Sequence, residues 1–147
     1  MNSLPKLNFP AINLRATRNG NRTLVFDSVR QIYVVLTPEE WVRRNLVAYL
    51  TTCCGVDPLC VVEEYPVQLN GQPQRADVVV MCEGAKPRML IECKAPEVEL
   101  DQQVFAQAVR YNAVVGAPYL MLTNGLRHYC FELRDGQYQQ LKSLPFL

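Results

Sequence analysis

Hydrophobic residues along this chain fall into short apolar runs separated by polar turns, with helical spacing in only two stretches. Between about residues 23 and 36, the runs TLVF and IYVVL flank the polar segment DSVRQ, a pattern that predicts a β-hairpin. The later runs ADVVVMC, MLIEC, YLMLT and HYCFEL are also rich in apolar residues and predict strands. A further strand is expected over Val61–Leu69, interrupted by Pro66 and followed by a turn at Asn70-Gly71.

Two segments carry the signals of helices. In Thr37-Pro38-Glu39-Glu40, a Thr cap, a Pro at the first helical position and a Glu three residues after the cap begin the first helix. We expect this helix to run to about Cys53 and to end at Gly55. From about residues 101 to 115 apolar residues recur at helical spacing, and Ala117-Pro118 closes this second helix.

The predicted order of elements is β-hairpin, α, β, β, β, α, β, β, with no internal repeat. This order predicts an α/β fold in which helices flank a mixed central β-sheet and an N-terminal β-hairpin is added to it. A length of 147 residues suits one hydrophobic core. We therefore assign residues 23–147 to a single domain.

Residues 1–22 differ from the rest of the chain in charge, because Lys6, Arg15, Arg18 and Arg22 all precede the first acidic residue, Asp27. We predict that they form a basic N-terminal arm. Such an arm is either a solvated surface segment or a contact for nucleic acid or another partner. Over the whole chain the net charge is only +1, so no global field indicates a polyanionic partner.

Composition excludes several classes of protein. None of the 6 cysteines forms a C-x-x-C pair of the kind found in zinc sites, so a structural zinc is not expected. The chain also lacks an apolar run long enough for a signal peptide or a membrane span. We therefore expect a cytoplasmic protein with reduced thiols and no membrane partner.

Charged residues within the apolar strands point to a chemical site. Because alternate side chains of a strand share a face, Glu92 and Lys94 are neighbours on one face, and Cys93 points to the other. Asp77 begins the preceding apolar strand. Burying an unpaired charge costs several kcal/mol, about 3–5 when one partner of a buried pair is removed, so these groups need one another, a cation or a phosphate. The alternative is a Glu92–Lys94 ion pair at a strand end, with Asp77 capping a turn.

Two carboxylates and an amine at adjacent strand ends form a grouping suited to phosphodiester hydrolysis. Carboxylate oxygens are ligands for Mg²⁺, and an ammonium can orient or help to deprotonate a water molecule beside the phosphate. A third carboxylate follows from helical phase. Glu39 lies near the centre of the apolar stripe of the first helix and should face inward, whereas Glu40 should lie on the far side and complete the capping box. The alternative role for Glu39 is a carboxylate favoured by the helix N-terminus.

Polar residues on the second helix and a single histidine complete the candidate residues. Gln107 and Tyr111 are four positions apart and therefore lie on one side of the helix, where they can reach a ligand along the sheet. The alternative is a hydrogen bond at the helix surface, with Tyr111 filling the core. His128 lies in a predicted edge strand and is interpreted as structural, which argues against a His-based nuclease.

The order Glu39, Asp77, Glu92-Cys93-Lys94 and Gln107-x-x-x-Tyr111 resembles the PD-(D/E)XK nuclease superfamily. The segments FDSVRQIYVVLTPEEWVR, RADVVV, LIECKAP, QAVRYN and YLMLTNG further resemble the N-terminal nuclease domain of the R subunit of type I restriction enzymes, in a small stand-alone form. This resemblance extends from about residue 26 to residue 133.

The resemblance implies a restriction-endonuclease-like core with a four-stranded mixed sheet flanked by helices. It implies that Asp77, Glu92 and the backbone carbonyl of Cys93 hold Mg²⁺, that Lys94 lies against the attacking water, and that Glu39 joins the catalytic site. Mn²⁺ is expected to substitute for Mg²⁺.

For the second helix, the resemblance implies that Gln107 and Tyr111 engage DNA and position the active site. One departure is that Ala76, rather than Pro, precedes Asp77. The superfamily varies at this position, so the departure leaves the proposed metal ligands unchanged.

The function implied by the resemblance is a metal-dependent endonuclease that hydrolyses phosphodiester bonds of DNA. Because no G-x-x-x-x-G-K-[ST] phosphate loop occurs, the motor of a complete R subunit is absent from this sequence. The expected partners are DNA and a separate motor or restriction-modification subunit, and a homodimer is compatible with this function. The alternatives are a catalytically inactive nuclease-fold module for DNA binding or assembly, and an unrelated α/β protein with an incidental E-x-K.

Overall fold

Two β-sheets and two α-helices make up the computed structural model, which describes residues 4–82 and 84–145. The helices are α1 (Pro38–Thr52) and α2 (Gln102–Val115), and a 3-10 turn at Pro58–Cys60 follows α1. The strands, in chain order, are β1 (Ala16–Asn19), β2 (Arg22–Asp27), β3 (Ile32–Val35), β4 (Val61–Leu69), β5 (Gln72–Cys82), β6 (Lys86–Cys93), β7 (Tyr119–Thr123), β8 (His128–Arg134) and β9 (Gln137–Leu141).

The large sheet has six strands in the order β4-β5-β6-β7-β8-β9, and the small sheet has three in the order β1-β2-β3. Within the large sheet β6 and β7 are parallel and the other neighbouring strands are antiparallel. A parallel pair needs a crossover connection, which α2 supplies. The expected mixed sheet flanked by helices, with an N-terminal hairpin, is therefore confirmed.

Two expectations about the large sheet were wrong. The element order predicted five strands outside the hairpin, whereas the sheet has six, since residues 137–141 form an additional strand. The reason is the turn at Asp135-Gly136, where both residues have positive φ angles of 50° and 76°, a conformation that returns the chain directly onto β8. Consequently β8, with His128, is an interior strand rather than an edge strand.

The helices begin and end close to the predicted residues because their caps form locally. At the start of α1, Thr37 Oγ1 accepts a hydrogen bond from the backbone N–H of Glu40 at 3.0 Å. At the start of α2, Asp101 Oδ1 accepts from the backbone N–H groups of Gln103 and Val104, each at 3.1 Å. Gly116 ends α2 with a φ of 76°, which a residue without a side chain adopts at low cost.

The hydrophobic core lies on both faces of the large sheet. On one face, Leu46 and Leu50 of α1 pack in a cluster with Ile91 of β6. On the other face, Ala108 of α2 packs in a cluster with Leu90 of β6. Because β5, β6 and β7 are covered on both sides, their sequences are nearly continuous apolar runs.

Residues 4–22 are partly integrated into the domain. Leu7 is buried in the core against Gly125, and Asn8 N–H donates to the Gly125 carbonyl at 2.7 Å. The Pro5 carbonyl accepts a hydrogen bond from Trp41 Nε1 at 2.9 Å. Further along, β1 pairs with β2. Deletion of residues 1–22 would therefore remove a core residue and a strand as well as positive charge.

All six cysteines are free thiols, as expected for reduced cysteines. Among the described residues, no helix is long and apolar enough to cross a membrane.

Candidate active site

The antiparallel pairing of β5 with β6 brings Asp77 and Glu92 together. Val78 lies opposite Ile91, so continuing the register by one residue sets Asp77 against Glu92. The Asp77 N–H donates to Glu92 Oε1 at 3.2 Å, and the Cys93 N–H donates to Asp77 Oδ2 at 2.7 Å. The two carboxyl groups therefore share one small, mostly buried site at the end of the strand pair.

An irregularity in β4 explains why the backbone of Asp77 is available to Glu92. The pairs Glu63–Val78 and Tyr65–Ala76 flank Asp77, but Glu64 between them has a φ of +52° and forms no pair with it. A positive φ is uncommon for a residue other than glycine. The sheet ladder is thus broken at the position where Asp77 would otherwise pair with β4.

Both carboxyl groups of this pair have raised pKa values. Burial, with the charge of Asp77 adding to it, raises the pKa of Glu92 to about 9. Burial also raises the pKa of Asp77, although the Cys93 N–H and the charge of Arg43 oppose this rise. The pair therefore tends to retain a proton when no cation is bound.

Lys94 lies at the end of β6, where its backbone N–H donates to the Thr123 carbonyl of β7 at 2.9 Å. The side chain is partly exposed, and its charge lowers the pKa values of Asp77, Glu92 and Glu39. Within the described residues, however, Lys94 forms no direct ion pair with Glu92. The alternative of a closed Glu92–Lys94 pair is therefore not what the structure contains.

Glu39 is half-buried in the first turn of α1 and faces the same site. Burial raises the pKa of Glu39, the charge of Asp77 raises it further, and the charges of Lys94 and Arg43 oppose the rise. Glu39 is therefore close enough to Asp77 and Lys94 for their charges to act on it, although Glu40 is the more deeply buried of the two glutamates.

The prediction for Glu40 was wrong. Its backbone N–H is capped by Thr37, but its carboxylate does not complete a capping box. Instead Glu40 is buried, with Oε2 accepting from Arg43 Nη2 at 2.6 Å and Oε1 lying 3.0 Å from Arg44 Nε. The prediction placed Glu40 relative to the apolar residues of α1 alone. It therefore missed the burial of Glu40, which pairs with Arg43 and Arg44 one turn later on the polar side of the helix.

Those arginines belong to a group of charges that sequence reasoning missed and that we call the arginine cluster. It joins the hairpin, α1 and β4, and its members are Asp27, Arg30, Glu40, Arg43, Arg44, Glu63 and Glu64. One signal in the sequence was the Arg43-Arg44 pair in the middle of an amphipathic helix, and another was Glu63-Glu64 in an apolar strand. The cluster reaches the candidate site through Arg43 Nη1, which lies 3.9 Å from Asp77 Oδ1.

Gln107 and Tyr111 contact each other and the sheet. Gln107 Nε2 donates to Tyr111 Oη at 3.1 Å, and Tyr111 Oη lies 3.5 Å from Oε1 of Gln74, three residues before Asp77 on β5. Tyr111 is buried in the core on the α2 side. Both parts of the structural alternative are therefore present, and a role in DNA engagement stays a prediction.

His128 has a structural environment. Its Nδ1 lies 2.8 Å from Thr123 Oγ1, and its Nε2 lies 3.0 Å from the Asn8 carbonyl. The centroid of its ring lies 4.5 Å from that of Phe9, with the two rings tilted by 45°. These contacts tie residues 8 and 9 to β8 and occupy both ring nitrogens.

The oxygen atoms available at this site suit Mg²⁺, which needs few protein ligands, better than a metal that requires three or four side-chain ligands. Among the described residues, no three His, Cys, Asp or Glu side chains are arranged to hold a metal ion together. Mg²⁺ commonly uses one or two carboxylates together with water and substrate phosphate, which Asp77 and Glu92 can satisfy. Burial raises the pKa of the Cys93 thiol well above its usual range, so Cys93 can contribute only its backbone carbonyl.

Comparisons with known proteins agree with this fold. The family model described as "Type I restriction enzyme R protein N terminus" matches residues 38–145. This chain belongs to that family. The matched region begins at α1 and includes the candidate residues from Glu39 to Tyr111, whereas the β1–β3 hairpin precedes it. The alternative of an unrelated α/β protein with an incidental E-x-K is therefore contradicted.

A solved structure has a related fold. It is a fragment structure of an HsdR subunit of a type I restriction enzyme from Vibrio vulnificus YJ016, with a TM-score of 0.57 and 21% sequence identity. The match covers 75% of this chain and 24% of that chain. No curated protein matches the sequence.

Proposed function

We propose that this R-protein family domain is a Mg²⁺-dependent DNA endonuclease module with a PD-(D/E)XK-type site, acting in a type I restriction system. The observation that carries the proposal is the direct contact of Asp77 and Glu92 beside Lys94, in a pair to which, among the described residues, neither Lys94 nor Arg43 donates a hydrogen bond. A purely structural pair would be better balanced, because an uncompensated buried charge destabilises a fold. A divalent cation supplies the missing charge.

Asp77, Glu92 and the Cys93 carbonyl are the proposed metal ligands. When bound, Mg²⁺ would stabilise negative charge on the phosphate and make water a better nucleophile. The role of the protein is to hold both carboxylates close together before the cation arrives, through the Asp77 N–H and the Cys93 N–H. Mn²⁺ should support the same reaction, because it also accepts carboxylate, carbonyl and water ligands.

Lys94 and Glu39 are the proposed groups that act on the attacking water and the phosphate. Lys94 keeps its ammonium free of a direct ion pair, so it can donate hydrogen bonds to water or to a phosphate oxygen. Burial and the charge of Asp77 raise the pKa of Glu39, with Lys94 opposing the rise, so its carboxylate is a better proton acceptor than that of an exposed glutamate. Gln107 and Tyr111 are the proposed DNA-contacting residues, held against β5 by Gln74.

The test is a cleavage assay with the purified full chain on supercoiled, linear and branched DNA, in Mg²⁺, Mn²⁺ or EDTA. We expect cleavage only with a divalent cation and its loss in Lys94→Ala. Cleavage that persists in EDTA would indicate a contaminant, and cleavage by Lys94→Ala at the wild-type rate would contradict the catalytic role of Lys94. A folded protein that binds DNA but never cuts it, alone or with the other subunits of a restriction system, would support the inactive DNA-binding module instead.

A further inference from the structure

Two nitrogens of the Arg43 guanidinium, on α1, are held by Glu40, and its third nitrogen faces Asp77. Its Nε and Nη2 donate to Glu40 Oε2 at 3.2 and 2.6 Å, and only 9% of its side chain is exposed. Its remaining terminal nitrogen, Nη1, has no hydrogen-bond partner among the described residues and lies 3.9 Å from Asp77 Oδ1. A buried donor without a partner costs about 1–3 kcal/mol, so its retention needs a reason.

The reason lies in the orientation of the Asp77 carboxyl group. Its Oδ2 is held by the Cys93 N–H at 2.7 Å, whereas its Oδ1 faces Arg43 Nη1. The terminal torsion of an aspartate is broad, so a single contact does not fix the plane of the carboxylate. A second contact from Arg43, on the other oxygen, restricts that rotation.

We propose that Arg43 is a positioning residue for Asp77: Glu40 fixes its guanidinium, and the open Nη1 orients the Asp77 carboxylate toward Glu92 for divalent-cation binding. This inference rests on the proposed function, because it concerns the same site. It extends that function by connecting the site to the arginine cluster and hence to the hairpin, which Arg44 joins to α1 through Asp27 at 2.7 Å.

The planar fork of arginine is needed for this role. Two of its nitrogens bind Glu40 while the third faces Asp77, an arrangement that the single ammonium of lysine cannot reproduce. Arg43→Lys therefore keeps the positive charge but loses one of the two contacts. Any change in cation affinity in this variant comes from geometry rather than from the loss of a charge.

Arg44 provides a matched control on the same helix. It is as deeply buried as Arg43 and belongs to the same cluster, but its ion pairs are with Asp27, Glu40 and Glu63, and none reaches Asp77. Arg44→Lys should disturb packing and charge in the cluster to a similar extent. A purely structural role for Arg43 would make the two variants behave alike.

The experiment measures Mn²⁺ alone, by the electron paramagnetic resonance signal of the free ion, against the full-length wild type, Arg43→Lys, Arg44→Lys and Asp77→Asn. We expect Arg43→Lys to weaken Mn²⁺ binding about 10–100-fold, the usual effect of losing a group that orients a metal ligand. Arg44→Lys should stay within about threefold of wild type, since it leaves that group in place. Thermal melts of all variants show whether they are folded at the assay temperature.

A second measurement needs no variant and covers the case in which Arg43→Lys does not fold. In the wild type, the side-chain N–H resonances of Arg43 should shift on addition of Mg²⁺, and those of Arg44 should not. Wild-type Mn²⁺ affinity in Arg43→Lys, an equal loss in both lysine variants, or an unshifted Arg43 resonance would overturn the positioning role and leave the nuclease proposal intact. No Mn²⁺ binding by wild type, or unchanged binding in Asp77→Asn, would overturn both.

Discussion

Two groups of buried carboxylates lie side by side in this domain and differ in their balance of charge. In the arginine cluster, burial raises the pKa of Asp27, but hydrogen bonds from Arg30 and the charge of Arg44 outweigh it, so the pKa is lowered. At the Asp77–Glu92 pair, burial prevails and both pKa values are raised. The pKa values of these carboxylates therefore shift in opposite directions, according to whether arginines form hydrogen bonds with them.

The difference indicates which group maintains the fold and which one is available for chemistry. The carboxylates of the cluster form ion pairs with the arginines of the protein at short distances. The Asp77–Glu92 pair is held by backbone N–H groups and has Arg43 and Lys94 nearby, but among the described residues neither cation forms a hydrogen bond with it. Substitution of Asp27 in the first group should affect stability, and substitutions in the second group should affect cation binding and catalysis.

The largest expected effect is on stability, in the cluster. Asp27→Asn should lower the free energy of unfolding by about 3–5 kcal/mol, because it leaves Arg44 buried beside an uncharged amide. The cleavage rate per folded molecule should be unchanged. Urea unfolding of the variant measures the loss, and Asp135→Asn, in an exposed turn that asparagine also accommodates, is the control. A variant as stable as wild type would remove the distinction between the two groups.

The next effect is on the reaction at the unbalanced pair. Lys94→Ala should lower the cleavage rate by about 10²-fold or more while leaving Mg²⁺ and DNA affinity largely intact, because water positioning and proton transfer contribute effects of that size. Lys86→Ala, at the exposed start of the same strand, is the matched control. If Lys94→Ala melts several degrees lower yet cuts at the wild-type rate, the catalytic assignment fails.

An effect that is smaller per pH unit should appear in the pH dependence of the free energy of unfolding without metal. Glu92 loses its proton near its ordinary pKa of 4.5 when unfolded but keeps it to about 9 when folded, so the folded state binds more protons between these values. Raising the pH through this window should therefore destabilise the fold, by up to about 1.4 kcal/mol per pH unit. Denaturation at several pH values in EDTA measures the slope. The curve of Glu92→Gln should be flatter, and an identical slope would contradict the raised pKa.

The smallest effect concerns the basic arm. Arg18 and Arg22 are exposed, so Arg18→Gln with Arg22→Gln should reduce the slope of log binding constant against log salt by about 0.9 per lost phosphate contact. These substitutions leave Leu7 and β1 in place, which deletion of residues 1–22 would not. Arg134→Gln, exposed at the end of β8, is the control. An unchanged slope would assign the arm to folding or to a protein partner.

The sequence by itself predicted the elements that depend on neighbouring residues. The cap at Thr37 lies where a short-range hydrogen bond forms, and the turn at Asn70-Gly71 uses two residues that tolerate positive φ. The same is true of the alternation that separates Leu90 from Ile91 and Cys93, since adjacent strand residues point to opposite faces. Each of these patterns is completed within a few positions of the chain.

Only the tertiary structure decided which charges meet. No local pattern indicates that Arg44 pairs with Asp27 and Glu63, or that Glu40 is buried between arginines. The break in the ladder at Glu64, which leaves the Asp77 N–H to Glu92, likewise depends on how β4 lies against β5. Electrostatic balance is set by distances between elements far apart in the chain, and local spacing does not encode those distances.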